Sequence, residues 1–188
     1  YQLALLGADV IKIESPPGVE TRGQLVAARE WVERKMPPAF LAVNGNKRSL
    51  TLDLRRAEAV EIVKRLVTRA DVVWENFRPG IMERLGLSYA ALAAVNPGLV
   101  MCSISAYGQD GPYRDWPAFD LALQAMGGAM SLTGEEGSRP VRMGLPMGDL
   151  AGGMFGAYAV AGALYRRSRT GRGAHIDLSL LDCQVSLL

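Results

Sequence analysis

Residues 49–75, SLTLDLRRAEAVEIVKRLVTRADVVWE, decide the fold. Ser49 to Leu54 reads as a strand. Arg56 to Arg69 then sets Ala59, Val60, Val63, Leu66 and Val67 on one helical face with charges opposite. Val72 to Glu75 is short, β-branched and apolar, a second strand. A strand, an amphipathic crossover helix and another strand form the unit from which parallel sheets are built. The same alternation runs outward in both directions, with strands expected at Val10 to Glu14, Leu99 to Ile104 and Ala174 to Leu178. Helices are expected at Ile81 to Leu85, Tyr89 to Val95, Phe119 to Ser131 and Leu150 to Ser168, and turn formers mark loops at Ser15 to Gly18 and Gln109 to Trp116. The expected class is therefore α/β with a mainly parallel sheet.

The helix after Asp149 has the clearest signals. Asp149 stands just before it as an N-cap, Arg166, Arg167 and Arg169 complement its C-terminal dipole, and Gly171 and Gly173 break it. Its glycines and alanines permit close approach by another segment, at a cost in helix propensity that packing must offset.

The chain has 188 residues, 49% of them hydrophobic and 21% charged, enough for one buried core. Its 21 basic and 19 acidic residues are scattered, and the net charge of +2 gives no reason to expect a nucleic-acid partner. Cys102 and Cys183 are far apart and read as reduced core thiols of a cytoplasmic protein. The uncharged stretch Leu150 to Tyr165 is too short for a bilayer and is interrupted by small residues, so no membrane partner is expected. The chain opens at Tyr1 in what reads as the tail of a helix and stops in an apolar run, so it is read as a fragment.

Several chemistries lack their residues. His175 is the lone histidine and reads as structural, which deprives Ser-His-Asp and Cys-His schemes of a base. No Cys/His spacing suits zinc, so no metal is expected. Neither a phosphate-binding G-x-x-x-x-G-K-[ST] loop nor a G-x-G-x-x-G turn after a strand is present. A nucleophile in this chain should be a carboxylate.

Four segments carry more than a generic α/β pattern: GADVIKIE (7–14), NGNKRSLTLDL (44–54), ADVVWENFRPGIMERLG (70–86) and LPMGDLAGGMFGAYAVAGALYRRSRTGRG (145–173). In this order they resemble the class III CoA-transferases, the CaiB/BaiF family that includes formyl-CoA transferase and, as a divergent branch, α-methylacyl-CoA racemase. The resemblance implies a Rossmann-like large domain, of which residues 1–188 would be the N-terminal part, in a two-domain chain whose small domain lies outside this sequence. It also implies an interlocked homodimer. Asp149 matches the family's nucleophile. A helix N-terminus would favour its ionised form and could stabilise an oxyanion. Coenzyme A, entering as an acyl-CoA substrate, would be contacted by Leu52 and Arg55 after the second strand, Asn76 and Phe77 after the third, Arg84 and Leu85 in the short helix beyond, and Tyr107 after the fourth. Phe77 and the leucines suit the adenine, the arginines suit phosphates, and Asn76 suits the pantetheine or base. Two positions depart from formyl-CoA transferase: Ser15 stands where that enzyme has an arginine and Ser105 where it has a lysine.

The resemblance thus points to CoA transfer from an acyl-CoA donor to a carboxylic acid acceptor. The racemase branch needs a histidine where this chain has Phe119, followed by Asp120, and phenylalanine accepts no proton. Asp120 itself reads as a structural carboxylate. A third reading is a CoA-binding subunit without turnover.

Overall fold

The computed structural model describes residues 1–16, 29–34 and 36–188. The chain divides into two compact units, Tyr1–Glu61 and Ile62–Leu188. Residues 17 and 18 of the expected loop at Ser15 to Gly18 fall outside the described residues.

The first unit holds α1 (Gln2–Leu5), β1 (Val10–Glu14), α2 (Arg29–Glu33), α3 (Pro38–Asn44), β2 (Lys47–Thr51) and the start of α4 (Ala57–Val67). β1 and β2 run parallel, with Val10 opposite Lys47 and Glu14 opposite Thr51. Lys12 fixes α3 to this pair: its ammonium donates to Asn44 Oδ1 at 2.9 Å and lies 4.7 Å from the centroid of the Phe40 ring. Asn46 adopts a left-handed conformation (φ 60°) between α3 and β2, a conformation asparagine tolerates better than most residues. β2 both starts and ends before the expected Ser49 to Leu54. Its last backbone bond is Leu52 N–H to Glu14 C=O (2.9 Å), and Asp53 then turns the chain by accepting the Arg55 N–H at 3.2 Å.

The second unit contains β3 (Val72–Glu75), α5 (Ile81–Arg84), α6 (Tyr89–Val95), β4 (Val100–Ser105), α7 (Asp120–Met126), a 3-10 turn (Ala129–Leu132), α8 (Met147–Thr170), β5 (Ala174–Ser179) and α9 (Leu180–Val185). Its sheet has the order β3-β4-β5 and is parallel throughout. β4 is central and every one of its six residues is buried, as a strand covered on both faces must be. The single sheet expected from the sequence is therefore present as two separate parallel pieces. α4 turns Ala59, Val63 and Val67 inward at the expected helical spacing. Beyond it, Asn96 donates to the carbonyls of Val67 and Ala70 at 2.9 Å each and accepts the Gly98 N–H, closing the chain before β4.

α8 is 24 residues long, about 36 Å. It begins three residues earlier than expected, so Asp149 is its third residue and not its N-cap; Pro146 holds the cap position. Its C-terminal end is fastened by Arg167, which donates to the Gly98 carbonyl (3.2 Å) and to Asp71 Oδ1 (2.6 Å). Gly171, at φ 69°, then ends the helix. Gly152 and Gly156 face the sheet side so closely that a methyl on Gly156 would stand 2.5 Å from the Trp74 ring, and one on Gly152 would overlap Leu180. The expected helix at Phe119 to Ser131 breaks at Gly127 and Gly128, the latter left-handed (φ 91°). α9 is an element the sequence reading does not anticipate. Its signal is Ser179-x-x-Asp182, whose hydroxyl accepts the Asp182 N–H at 3.1 Å.

Candidate active site

α8 and β5 are joined by a short turn, so α8 runs back along the sheet and its N-terminus points past the carboxyl ends of the strands. Gly152 abuts Leu178 and Leu180, where β5 gives way to α9. Asp149, nearly one turn earlier, therefore stands just beyond that edge, where open parallel sheets bind ligands.

The surroundings of Asp149 differ from the sequence expectation. Its residue surface is exposed, yet atoms packed behind the carboxyl desolvate it and raise its pKa above the ordinary aspartate value, and the charge of Asp120 adds to the rise. The helix end does not hold this group ionised to the extent expected. Asp120 explains why: its Oδ1 accepts the N–H groups of Gly148 (2.8 Å) and Asp149 (3.3 Å), while its Oδ2 accepts from Gln124 Nε2 at 2.6 Å. Two of the donors expected to serve an oxyanion are thus already engaged. Asp120, which the sequence offers only as a structural carboxylate, stands beside Asp149, and its signal is the Asp120 to Gln124 spacing of four on α7. Gln124, fully buried, also donates to the Leu145 carbonyl (3.0 Å) and accepts the Met143 N–H (2.9 Å), so it braces the segment leading into α8.

Asn76 and Phe77 follow β3 directly and are exposed. Their turn is set by Glu75, whose Oε2 accepts the Phe77 N–H at 2.7 Å. Glu75 is buried, and burial raises its pKa against the lowering effect of hydrogen bonds from Ser103 and the Phe77 N–H. Ser103 also shares a 2.9 Å hydrogen bond with His175 Nε2, and that ring stacks on Tyr89 at 5.1 Å. Arg84, exposed, and Leu85, half-buried, close α5. Tyr107 lies after β4 with its ring against Tyr113, and its hydroxyl meets the Met126 sulfur at 3.2 Å, which links it to the helix that carries Asp120.

In the first unit, half-buried Leu52 follows β2 and Arg55 is exposed. Arg55 grips Asp53 through two bonds of 2.8 and 2.9 Å, and these hold the Asp53 carboxyl down to about 2. A phosphate contact by Arg55 would have to compete with that pair. Both cysteines are buried and unbridged, with burial pushing the Cys102 thiol up to about 12 and the Cys183 thiol upward as well. No helix among the described residues is long and apolar enough to cross a membrane.

A parallel α/β chain with a carboxylate at the head of a glycine-rich helix is the arrangement these residues define, and residues 2–188 match the family model for CoA-transferase family III. The chain belongs to that family. It is 41% identical to the succinate–glutarate CoA-transferase of Agrobacterium fabrum, over 99% of this chain and 47% of that protein. It is 40% identical to the formyl-CoA:oxalate CoA-transferase of Streptomyces avermitilis, over 98% of this chain and 44% of that one. Among solved structures it is similar to a CaiB/BaiF family protein from Brucella suis, with a TM-score of 0.90 and 42% identity over 99% of this chain and 49% of that chain. The chain thus spans about half the length of these relatives.

Proposed function

We propose that this chain is the N-terminal part of the large domain of an acyl-CoA:carboxylate CoA-transferase and supplies its nucleophile, Asp149. The observation that carries the reading is the position of Asp149 at the carboxyl edge of a parallel sheet, in a chain of this family. Relatives named as transferases for succinate and glutarate and for formyl-CoA and oxalate support CoA exchange between carboxylic acids.

The chemistry runs through two acyl exchanges on one carboxylate. An Asp149 oxygen attacks the donor thioester carbonyl, the C–S bond breaks, and CoA leaves as thiolate with a mixed anhydride on the protein. The thiolate attacks Cγ of Asp149, expelling the donor acid and leaving an aspartyl-CoA thioester. The acceptor carboxylate attacks this thioester at Cγ and frees the thiolate once more. That thiolate then takes the acceptor acyl group and restores the carboxylate. The thioester energy stays on the protein throughout. Raised basicity suits Asp149 to this role, because a more basic carboxylate is a better nucleophile once ionised.

Contacts to CoA are assigned to Leu52 and Arg55 in the first unit and to Asn76, Phe77, Arg84, Leu85 and Tyr107 in the second. The interlocked homodimer and a cytoplasmic location belong to the same reading. α8 turns Leu150, Met154, Tyr158 and Tyr165 outward, apolar surface of the kind a partner chain covers. The racemase alternative gains nothing: Phe119 offers no base, and Asp120 is committed to the head of α8.

The test is Asp149→Asn in the full-length enzyme. It should fold and lose CoA transfer by several orders of magnitude. In wild type, incubation with acyl-CoA followed by hydroxylamine or borohydride should mark the peptide containing Asp149, read by mass. Comparable turnover by the variant, or a mark on another residue, would refute the mechanism. CoA binding without exchange in the wild type would favour a binding subunit.

A further inference from the structure

Asp149 occupies the third position of α8, where an acidic side chain usually reaches back to the N–H of the N-cap residue. That partner is missing here because the N-cap is Pro146, which has no N–H. Of the next three donors, those of Met147, Gly148 and Asp149 itself, the last two are held by Asp120 at 2.8 and 3.3 Å. A third acceptor points at the same helix end. Gln184 on α9 is fully buried, donates its Nε2 to the Leu123 carbonyl at 3.1 Å, and leaves Oε1 without a hydrogen-bond partner among the described residues. That oxygen would stand 3.2 Å from a methyl on Gly148, as would Asp120 Oδ1, so only glycine fits between them without displacement.

Building on the mechanism above, we propose that Asp120 is a positioning residue for Asp149: by taking the Gly148 and Asp149 N–H groups, it keeps the Asp149 carboxylate from folding back onto them and leaves it turned to substrate. An N-terminal carboxylate normally gains stability from the helix dipole and becomes a weaker base. Here a second carboxylate absorbs that stabilisation. Gln124 and two backbone N–H groups donate to Asp120. The elements against α8 carry Asp120 on α7, Asp182 and Cys183 on α9, Glu75 on β3, Cys102 on β4, and His175 and Asp177 on β5. Of these, Asp120 alone acts on the Asp149 carboxyl, raising its pKa in addition to burial.

The test is a double-mutant cycle in the full-length enzyme with wild type, Asp149→Asn, Asp120→Asn and the double variant. Thermal midpoints are measured from pH 4 to 8. A carboxyl whose folded pKa is raised contributes stability that is present below its unfolded pKa and is lost as pH rises through its folded pKa. Asp149→Asn should therefore gain on wild type as pH rises, and this gain should shrink when Asp120 is already asparagine. A gain of the same size in both backgrounds, or none at all, overturns the proposal. In the activity arm, the acid limb of acyl transfer onto Asp149 should move to lower pH in Asp120→Asn. A uniform loss at every pH with the limb unmoved shows a merely structural role and also overturns it. Should Asp120→Asn fail to fold, Asp120→Glu takes its place: the longer side chain moves the carboxylate off the Gly148 and Asp149 N–H groups, so the acid limb must shift, and an unmoved limb overturns the proposal. Coupling in the stability cycle without any acyl chain on Asp149 would support the Asp120 placement and sink the catalytic reading alone.

Discussion

Replacing Gly156 by alanine tests whether α8 is seated against the sheet by close approach. The added methyl would meet Trp74 Cη2 at 2.5 Å and Cζ2 at 2.9 Å, with Ile104 Cδ1 at 3.4 Å behind them. Overpacking of this kind costs about 1 to 3 kcal/mol. Alanine returns about 0.5 to 1 kcal/mol in helix propensity. The net expectation is a loss of about 0 to 2.5 kcal/mol, moderated because Trp74 is 39% exposed and its ring has somewhere to go. Gly153, on the same helix, has no neighbouring atom within 4 Å of where a methyl would stand, so Gly153→Ala should gain about 0.5 to 1 kcal/mol from propensity alone. Urea unfolding of both full-length variants, with equal m-values, reads the difference directly. If Gly156→Ala is stabilised as Gly153→Ala is, so that the two variants shift together, the close seating of α8 on Trp74 is wrong.

Arg84→Ala should raise the KM for the CoA ester more than it lowers kcat, by the roughly 1.5 to 3 kcal/mol of a charge-assisted contact; an unchanged KM across all accepted esters removes Arg84 from the site. Glu75→Gln keeps an acceptor for the Phe77 N–H but removes a buried charge. The raised folded pKa of Glu75 means that wild-type stability is lost as pH rises through it, so the variant should be the more stable form above that window and lose its advantage below it, checked by thermal midpoints against pH. Cys102, pushed up to about 12, should resist alkylation by iodoacetamide at pH 8 in the folded enzyme and react once unfolded, as peptide mass spectrometry would read; rapid native labelling contradicts its burial.

The alternation of strand and helix is legible because each element carries its own periodicity. β3, α6, β4 and α8 all fall within a few residues of their expected places. What escapes is set by contacts between elements. β2 begins at Lys47 because β1 offers a partner there, and nothing in the local pattern marks that register. The nucleophile candidate is visible through its motif, but its environment is not. Asp149 carries the stronger capping signal in isolation, whereas Pro146 holds the cap, and Asp120 lies far from Asp149 in sequence. The Asp120 to Gln124 spacing marks a pair on α7, but nothing local shows that this carboxylate caps another segment's helix, since capping preferences are read only within one helix. The unexpected sign of the Asp149 shift follows first from burial of its carboxyl and then from the charge of Asp120, neither of which the local pattern shows.

The central position of β4 also dictates an order of assembly. Its neighbour β3 lies roughly 30 positions upstream, whereas β5 lies roughly 75 positions downstream, and closing the longer loop costs about 0.9 kcal/mol more in chain entropy. The pairing of β3 with β4 can therefore be in place while the ribosome is still making α8, leaving one edge of β4 open until β5 emerges. Docking of that last strand must wait for α8 to lie down beside it, because the helix leads directly into β5. A pause in synthesis within residues 147–173 would prolong the lifetime of a bare edge on a strand that the finished fold buries completely, the species most prone to aggregate.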